Sequence, residues 1–586
     1  MNNNIQSLKA LFSDSYFNIP QYQRAYAWNI KPQLSDFLSD LRQQVKAQQG
    51  SSDKTYFLGS FLLHDKKGRI DIVDGQQRLT TSVIFVSAAL KRHEHNNVLD
   101  NALVNATKLK RLFIFDEDEG RQKLKTIKED NDFFRSEILD ISKAKNQAQS
   151  QSSNNLKEAQ SYFLQEVNDD EWVELIGILT HAQTMTYVVN NPADATQIFE
   201  LQNDRGKSLT ELESIKSFLM HMVYLHDKSP DDRLDCIQTQ FSRIYRSVEG
   251  LRGKRRVPDE DALLSYHCAA FCNWTGEEWR RPKELIKNLV HQMDNEQIPE
   301  WIEKFVSDMV RSYESVVKMF EQLDNYTELV DLVVLGRLAP FWPLLIKTWH
   351  VDDSTNKKDF RKAVRLMEIY SFRGYGISNL RADGGQSTLY TMARDFKDFE
   401  VLHNTLYDMC YWYDLEKRFE NGLDAVKLYK SNRSDTQYLL WKYENSLRSK
   451  KGNKQPQLSW KDYLLPKSDA TKFSVEHIAA QSHEIANTEI KWEEDGEVKK
   501  FSEIAMHRLG NLVLDSVSTN SSKGKKDFTD KLKQLSETSI YISQGELINF
   551  AHMDEGTPKW TVNSIKARHE SLIEFAKQHW NPEKCW

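Results

Sequence analysis

Three absences narrow the class of this sequence: it has no cysteine framework, no excess of one charge and no long apolar run. Its 586 residues hold five cysteines, Cys236, Cys268, Cys272, Cys410 and Cys585. The number is odd and the spacing scattered, which argues against a disulfide scaffold and for reduced thiols in a cytosolic compartment. Cys268 and Cys272 could share a helix face, but no second Cys/His pair stands near, so core packing is expected there rather than zinc. The 79 basic and 85 acidic residues leave a formal charge of −6, so any basic surface must be local. The N-terminus has no basic stretch followed by an apolar run, and no signal peptide is expected. The most apolar stretch, Asp331 to Trp349, is interrupted by Arg337, Pro340 and Pro343. It is too short and broken to span a membrane and reads as a bent, buried helical segment. A cytoplasmic location with no membrane partner is expected.

Hydrophobic residues make up 39% and aromatics 11% of the chain, enough for real cores. The expected class is α+β, mostly helical. "TYFLGSFLLHD" and "RIDIVDG" read as two strands around a Lys-Lys-Gly turn, and "RLTTSVIFVSAALKRH" as a helix. Tyr22, Arg24, Tyr26 and Trp28 share one parity, as on one face of an extended segment. The polar run from Lys143 to Asn155 reads as a loop. Thr210 and Glu213 have capping-box spacing before Ile215, Phe218, Leu219 and Met222, so "NDRG", Asn203 to Gly206, is expected just ahead of a capped helix. The expected layout is an N-terminal domain over 1–225, a helical connector over 226–446, a basic linker over 447–457 and a C-terminal module over 458–586.

Asp74, Gly75, Gln76, Gln77 and Arg78 fall where the second strand meets the helix. A helix start carries unpaired N–H groups and partial positive charge, a natural anion site. Arg78 adds a guanidinium fork suited to phosphate oxygens. Asp74 could hold a metal ion or orient a water, and the glutamines could donate to phosphate or read a base edge. The same spacing also suits an Asp–Arg pair that caps a helix. Two further polar clusters, Tyr22 to Arg24 and Asn203 to Gly206, raise the first reading. Arg24, Arg78 and Arg205 in loops around an apolar scaffold suggest one convergent pocket.

The stretches "IPQYQRAYAW", "YFLGSFLL", "DGQQRLTT" and "FELQNDRGKSLT" resemble the N-terminal domain of the GmrSD-type modification-dependent restriction proteins. The resemblance covers about residues 8–225. It implies a ParB/sulfiredoxin-like fold with NTP binding and hydrolysis, of GTP or another NTP. Arg24, Asp74, Gly75, Gln76, Gln77, Arg78, Asn203 and Arg205 would form the nucleotide site. Gln202 before Asn203 departs from the family's Leu-Asn pair.

The C-terminal module contains "FSVEHIAAQ" and "MHRLGNLVLDSVSTNSSKGKKDF". Strand, strand and helix, with His477, Asn511 and Asn520 at the joints, resemble the ββα-metal or His-Me finger (HNH) nucleases. A neutral histidine suits a general base near neutral pH, and a hard divalent cation prefers oxygen ligands. The resemblance implies His477 as general base, Asn511 as the group orienting it, Glu476 and Asn520 as ligands of Mg²⁺ or Mn²⁺, and Lys523 as a basic assistant. Glu476 stands where Asp is more usual and Ala480 where Pro often follows. His507 and His483 read as packed or solvent-facing histidines. Lys525, Lys526 and Lys531 are candidate phosphate-backbone contacts; a solvated helix face is the alternative. "RGKRR", Arg252 to Arg256, reads as a surface loop, with a DNA contact as the alternative, and the stretch around Arg373 and Tyr375 as packing, with a groove lining as the alternative.

These readings combine into an NTP-regulated, divalent-metal-dependent DNA endonuclease or nickase, with double-stranded and modified foreign DNA as the expected partner. A homodimer is left open. The alternatives are a nucleotide-gated DNA-binding regulator with a non-cutting finger, and an RNA-cleaving defence nuclease.

Overall fold

The structure is a computed structural model describing residues 2–49, 55–66, 68–99, 105–142, 146–148, 150–189, 210–450, 456–466, 468–479, 492–494, 497–518, 528–538 and 540–585. It divides into two compact units, Met1–Cys268 with Asn273–Val317, and Ala269–Cys272 with Lys318–Trp586. The division between the units falls at Val317, inside the 226–446 stretch read as a helical connector. Helix Pro230–Leu251, for example, buries Leu234, Ile237, Phe241 and Ile244 along one stripe and belongs with the first unit.

The first unit is built on a mixed sheet of β1 (Asn2–Ser7), β2 (Phe17–Asn18), β3 (Phe57–Lys66), β4 (Arg69–Asp74), β5 (Leu124–Lys125) and β6 (Gln183–Val189), in the order β1-β6-β3-β4-β2-β5. β3 and β4 form the expected antiparallel hairpin, with an irregularity between Leu62 and Leu63. β3 lies parallel to β6, and β4 parallel to β2. α1 (Gln76–Asn96) starts directly after β4. It is apolar on most of its circumference, and Leu79, Val83, Ile84, Phe85, Val86, Ala88 and Ala89 are all buried. Phe85 meets the Phe163 ring edge-on at 5.0 Å and lies 5.2 Å from Trp172. Burying such a side chain contributes about 1.5–3 kcal/mol.

The polar stretch read as a loop differs from expectation. Gln151–Glu166 is a helix capped by the Ser150 hydroxyl, which accepts from Ser153 N. The hydroxyls of Ser150, Ser152 and Ser153 donate to the buried Asp130 carboxylate at 3.0, 2.6 and 3.0 Å. A distant carboxylate satisfies these side chains and lets them be buried. The capping box is as expected. Thr210 accepts from Glu213 N, and Glu213 accepts from Thr210 N, at the start of α2 (Glu211–His226).

In the second unit the apolar stretch around Pro340 is helix Thr327–Leu335, stopped by Gly336, and helix Trp342–Val351, both largely buried. Among the described residues no helix is long and apolar enough to cross a membrane. α3 (Lys358–Tyr370) and α4 (Arg433–Lys450) follow. Leu447–Lys450, read as linker, is instead the last turn of α4. The Arg448 side chain there is buried and donates to the fully buried Glu444 at 2.7 Å. Residues 451–455 lie outside the described set. Arg373 is buried over the rings of Tyr411 and Phe419, the packing role expected of it. Cys268 and Cys272 are also buried.

The C-terminal module is a two-stranded antiparallel sheet, β7 (Phe473–His477) with β8 (Leu512–Ser516), flanked by α5 (Phe528–Thr538) and α6 (Val562–His579). Ile478, Phe501, Met506, Val513, Phe528, Trp560 and Ile565 form its core. α6 crosses the turn before β8 at close range. A Cβ on Gly510 would stand 2.0 Å from the Ile565 carbonyl oxygen. Because backbone cannot yield as a flexible side chain can, Gly510→Ala is expected to destabilise this module by roughly 1–3 kcal/mol. Urea unfolding should show the loss, and a neutral result would refute the close approach.

Candidate functional site

In the first unit the strand-to-helix joint is as the sequence suggests. Gly75 caps α1 with φ 89°, a conformation glycine adopts without strain, and a Cβ there would meet the Phe61 ring at 2.3 Å. The segment around Arg24 is threaded onto this joint by amide groups. Gln23 Nε2 donates to Val73 O at 2.8 Å and Gln76 Nε2 to Gln23 Oε1 at 3.3 Å. Gln77 accepts from Ala27 N at 3.0 Å and donates to Ala25 O at 3.2 Å.

The two described arginines are engaged internally. Arg78 donates to Leu58 O and Ser60 O at 3.4 and 3.1 Å, over the Phe61 ring. Arg24 pairs with Glu213 at 3.1 Å. Burial raises the Asp74 carboxyl above its usual range, against the opposing pull of Arg78 and the Gly75 N–H. The residues between Tyr22 and Ala27 thus contact both the Gln76–Gln77 joint and the helix that follows "NDRG". Asn203 and Arg205 lie outside the described residues.

Glu213 was singled out from the sequence only as a capping residue, and Lys216 carries no motif signal. Lys216 Nζ donates to Tyr22 O at 2.9 Å, 4.4 Å from the Tyr22 ring centre. Burial pulls its ammonium down to about 7, with Glu213 opposing.

The second unit gathers its candidate site at the end of β7. His477 stands opposite Leu512 and Glu476 opposite Val513. Side chains alternate along the strand, so neighbouring residues face opposite ways. Glu476 Oε1 accepts from Lys531 Nζ at 2.5 Å, and the same ammonium donates to His477 O at 2.7 Å. Both members of the pair are buried, at 6% and 2% exposure. This corrects the reading of Lys531 as a DNA contact. Its ammonium is enclosed with a carboxylate and cannot lie against a phosphate backbone as placed. Lys523, Lys525, Lys526, Asn520, Ala480 and His483 lie outside the described residues.

His477 Nε2 is 3.2 Å from His507 Nδ1, and the Tyr429 ring meets the His477 ring edge-on at 5.2 Å. Burial pulls His477 down to about 3, with His507, Lys531 and Arg433 adding repulsion. His507 is lowered as well, by burial and by Lys430 and Lys427. Both rings are neutral near pH 7, so one nitrogen of the pair donates and the other accepts. His507, read from the sequence as a bystander, therefore touches the candidate base. Its signal was its place three residues before Gly510.

Asn511 is fully buried. Its amide accepts from Ala479 N at 2.8 Å and donates to Ala479 O and Met506 O at 3.3 and 3.0 Å. It was expected to orient the His477 ring. Its amide instead braces the backbone just after His477, because that backbone turns away from β8 and needs partners. Glu476 offers an oxygen of the kind a hard divalent cation prefers, already neutralised in part by Lys531. Among the described residues no group of three or more His, Cys, Asp and Glu is arranged to hold a metal ion.

A buried carboxylate paired with a lysine and a neutral imidazole thus stand at one strand end. The family comparison agrees in both units. The GmrSD restriction endonuclease N-terminal domain matches residues 8–220, and the C-terminal domain of the same family matches residues 413–575. The chain belongs to the GmrSD restriction endonuclease family, a class of type IV restriction enzymes acting on DNA in phage defence. No curated protein matches it.

Two outcomes are expected. Lys531→Met leaves Glu476 buried without its partner and should cost roughly 3–5 kcal/mol. Adding Glu476→Gln should recover part of that loss in denaturant melts; additive losses would show that the two side chains are not a pair. For Lys216, the native ammonium titrates near 7 and the unfolded one near ~10.4. The unfolded chain then binds more protons between these values, so stability rises with pH across that window. Lys216→Met should flatten this rise, read as unfolding midpoint against pH, and an unchanged slope would exclude Lys216 as its source.

Proposed function

We propose that the C-terminal finger of this chain is an HNH-type nuclease that hydrolyses a DNA phosphodiester, and that the N-terminal domain binds and hydrolyses an NTP to regulate it. The observation that carries the nuclease reading is the β7 end, where a neutral, buried His477 adjoins the ion-paired Glu476. A neutral imidazole can take a proton from an attacking water. His507 Nδ1, 3.2 Å from its Nε2, stands within reach as hydrogen-bond partner to that ring. Asn511 keeps the following backbone in place, so the ring cannot swing with it. Mg²⁺ or Mn²⁺, held by Glu476 and Asn520, would neutralise charge on the phosphate.

For the N-terminal domain, the support is the convergence of the Tyr22–Ala27 segment, the Gln76–Gln77 joint and the Glu213 end of α2. There a helix start and Arg78 provide the chemistry that triphosphates need. Modified foreign DNA is the substrate this reading assigns.

The two activities are separable. His477→Ala should lose Mg²⁺-dependent plasmid nicking by about 10²–10⁴-fold while NTP turnover persists, with both assays run on the full chain. A folded variant that loses both activities would defeat the division of labour, and one that still nicks would remove His477 as the base.

A further inference from the structure

A cavity of about 640 Å³ opens in the second unit between α3 and the C-terminal end of α6. Lys358, Arg361, Lys362 and Arg365 line it from α3, at helical spacings of three and four that place them on one face. Lys584 joins them from the turn Pro582–Cys585. Among the described lining residues the one carboxylate is Glu328, which takes Arg361 in a two-pronged pair at 2.9 and 3.0 Å. Arg365 donates to the buried Glu368 and to the His579 carbonyl. The cavity therefore keeps a net positive charge.

Three further features point to a ligand. His579 lines the cavity, and its Nε2 is buried with no hydrogen-bond partner, an unsatisfied donor or acceptor of the kind that calls for explanation. Burial and the nearby Lys442, Arg365 and Lys584 hold that imidazole neutral, at about 2. At the rim, Asn356 and Lys357 both adopt left-handed backbone, with φ 59° and 52°, and such strain in non-glycine residues clusters at binding sites. The positive end of α3, a helix of 13 residues, begins at that same rim.

We propose that this cavity binds a ligand carrying a chain of phosphates, through residues distinct from those of the strand-to-helix joint and of the His477–His507 pair. Lys358 to Arg365 spans about 10 Å along the helix, the reach of several phosphates rather than one. The volume lies within the ~300–1,000 Å³ of small-molecule sites. A free nucleotide polyphosphate and the backbone of DNA share this chemistry.

Cys585 lines the cavity and serves as a local reporter. Its thiol is raised by burial, so alkylation is run under mildly alkaline conditions, where more thiolate forms. The rate at Cys585 is followed by mass spectrometry on the full chain with inorganic tripolyphosphate, GTP or a short DNA duplex. Cys236, in the other unit, is the internal reference.

Saturating ligand should slow Cys585 by about tenfold and leave Cys236 unchanged. The double variant Lys358→Glu/Lys362→Glu should abolish the protection, while Lys397→Glu, outside the cavity, retains it. Circular dichroism checks that the variants are folded. Protection by tripolyphosphate and GTP identifies a free polyphosphate, and protection by the duplex alone identifies the DNA backbone. No protection by any of the three, or undiminished protection in the double variant, overturns the proposal.

Discussion

The C-terminal finger depends on a charged pair held out of water. Glu476 and Lys531 are both nearly inaccessible, and removing two charges from solvent is costly unless the geometry is close and further bonds are made. Both conditions are met, by a 2.5 Å contact and by a second bond from the same ammonium to His477 O. The pair therefore permits one docking of α5 against β7. The neighbouring His477 is directed elsewhere by strand alternation, toward Tyr429 and His507. A carboxylate that anchors a helix and an imidazole free of that anchor are two consequences of one register.

The joint in the first unit rests on weaker bonds of a different kind. Its glutamines trade neutral hydrogen bonds with Val73, Ala25 and Ala27, each with a net value near 1 kcal/mol. Arg78 holds two carbonyls, whereas Arg24 holds the Glu213 carboxylate. A carboxylate holds a guanidinium more strongly than a neutral carbonyl does, because both partners are then charged. A phosphate arriving at α1 would thus draw Arg78 from its partners more readily than Arg24. The two arginines are alike in motif and differ in partners: Arg78 lies on two carbonyls, Arg24 on a carboxylate.

Local pattern made much of this legible in the sequence. The β3–β4 hairpin, Gly75 as the turn, the Thr210–Glu213 capping box and the strand ending in Glu476-His477 all depend on residues a few positions apart. What escaped depends on partners far along the chain. Lys531 meets Glu476 across 55 positions and Lys216 meets Tyr22 O across 194, and no periodicity reports such meetings. The serines from Ser150 to Ser153 were misread for the same reason, since their burial depends on Asp130. Asn511 was read as the group orienting the His477 ring, yet its amide partners are backbone groups, which side-chain motifs do not encode.

α6 has contacts with two places at once, and its mechanics differ from those of a switch. Arg568, fully buried, donates to the carbonyls of Leu509, Gly510 and Leu512 at 3.2, 3.4 and 2.5 Å, while His579 stands at the basic cavity about 16 Å further along. Coupling between distant sites requires an element with two arrangements of similar free energy. The Gly510 turn leaves no such freedom, because it meets Ile565 at backbone contact and Asn511 is tied on both edges of its amide. Shifting α6 along its axis would break the Arg568 bonds and drive Ile565 against Gly510. The helix is therefore a strut. It joins the lining of the basic cavity at its C-terminal end to the Leu509–Leu512 turn ahead of β8.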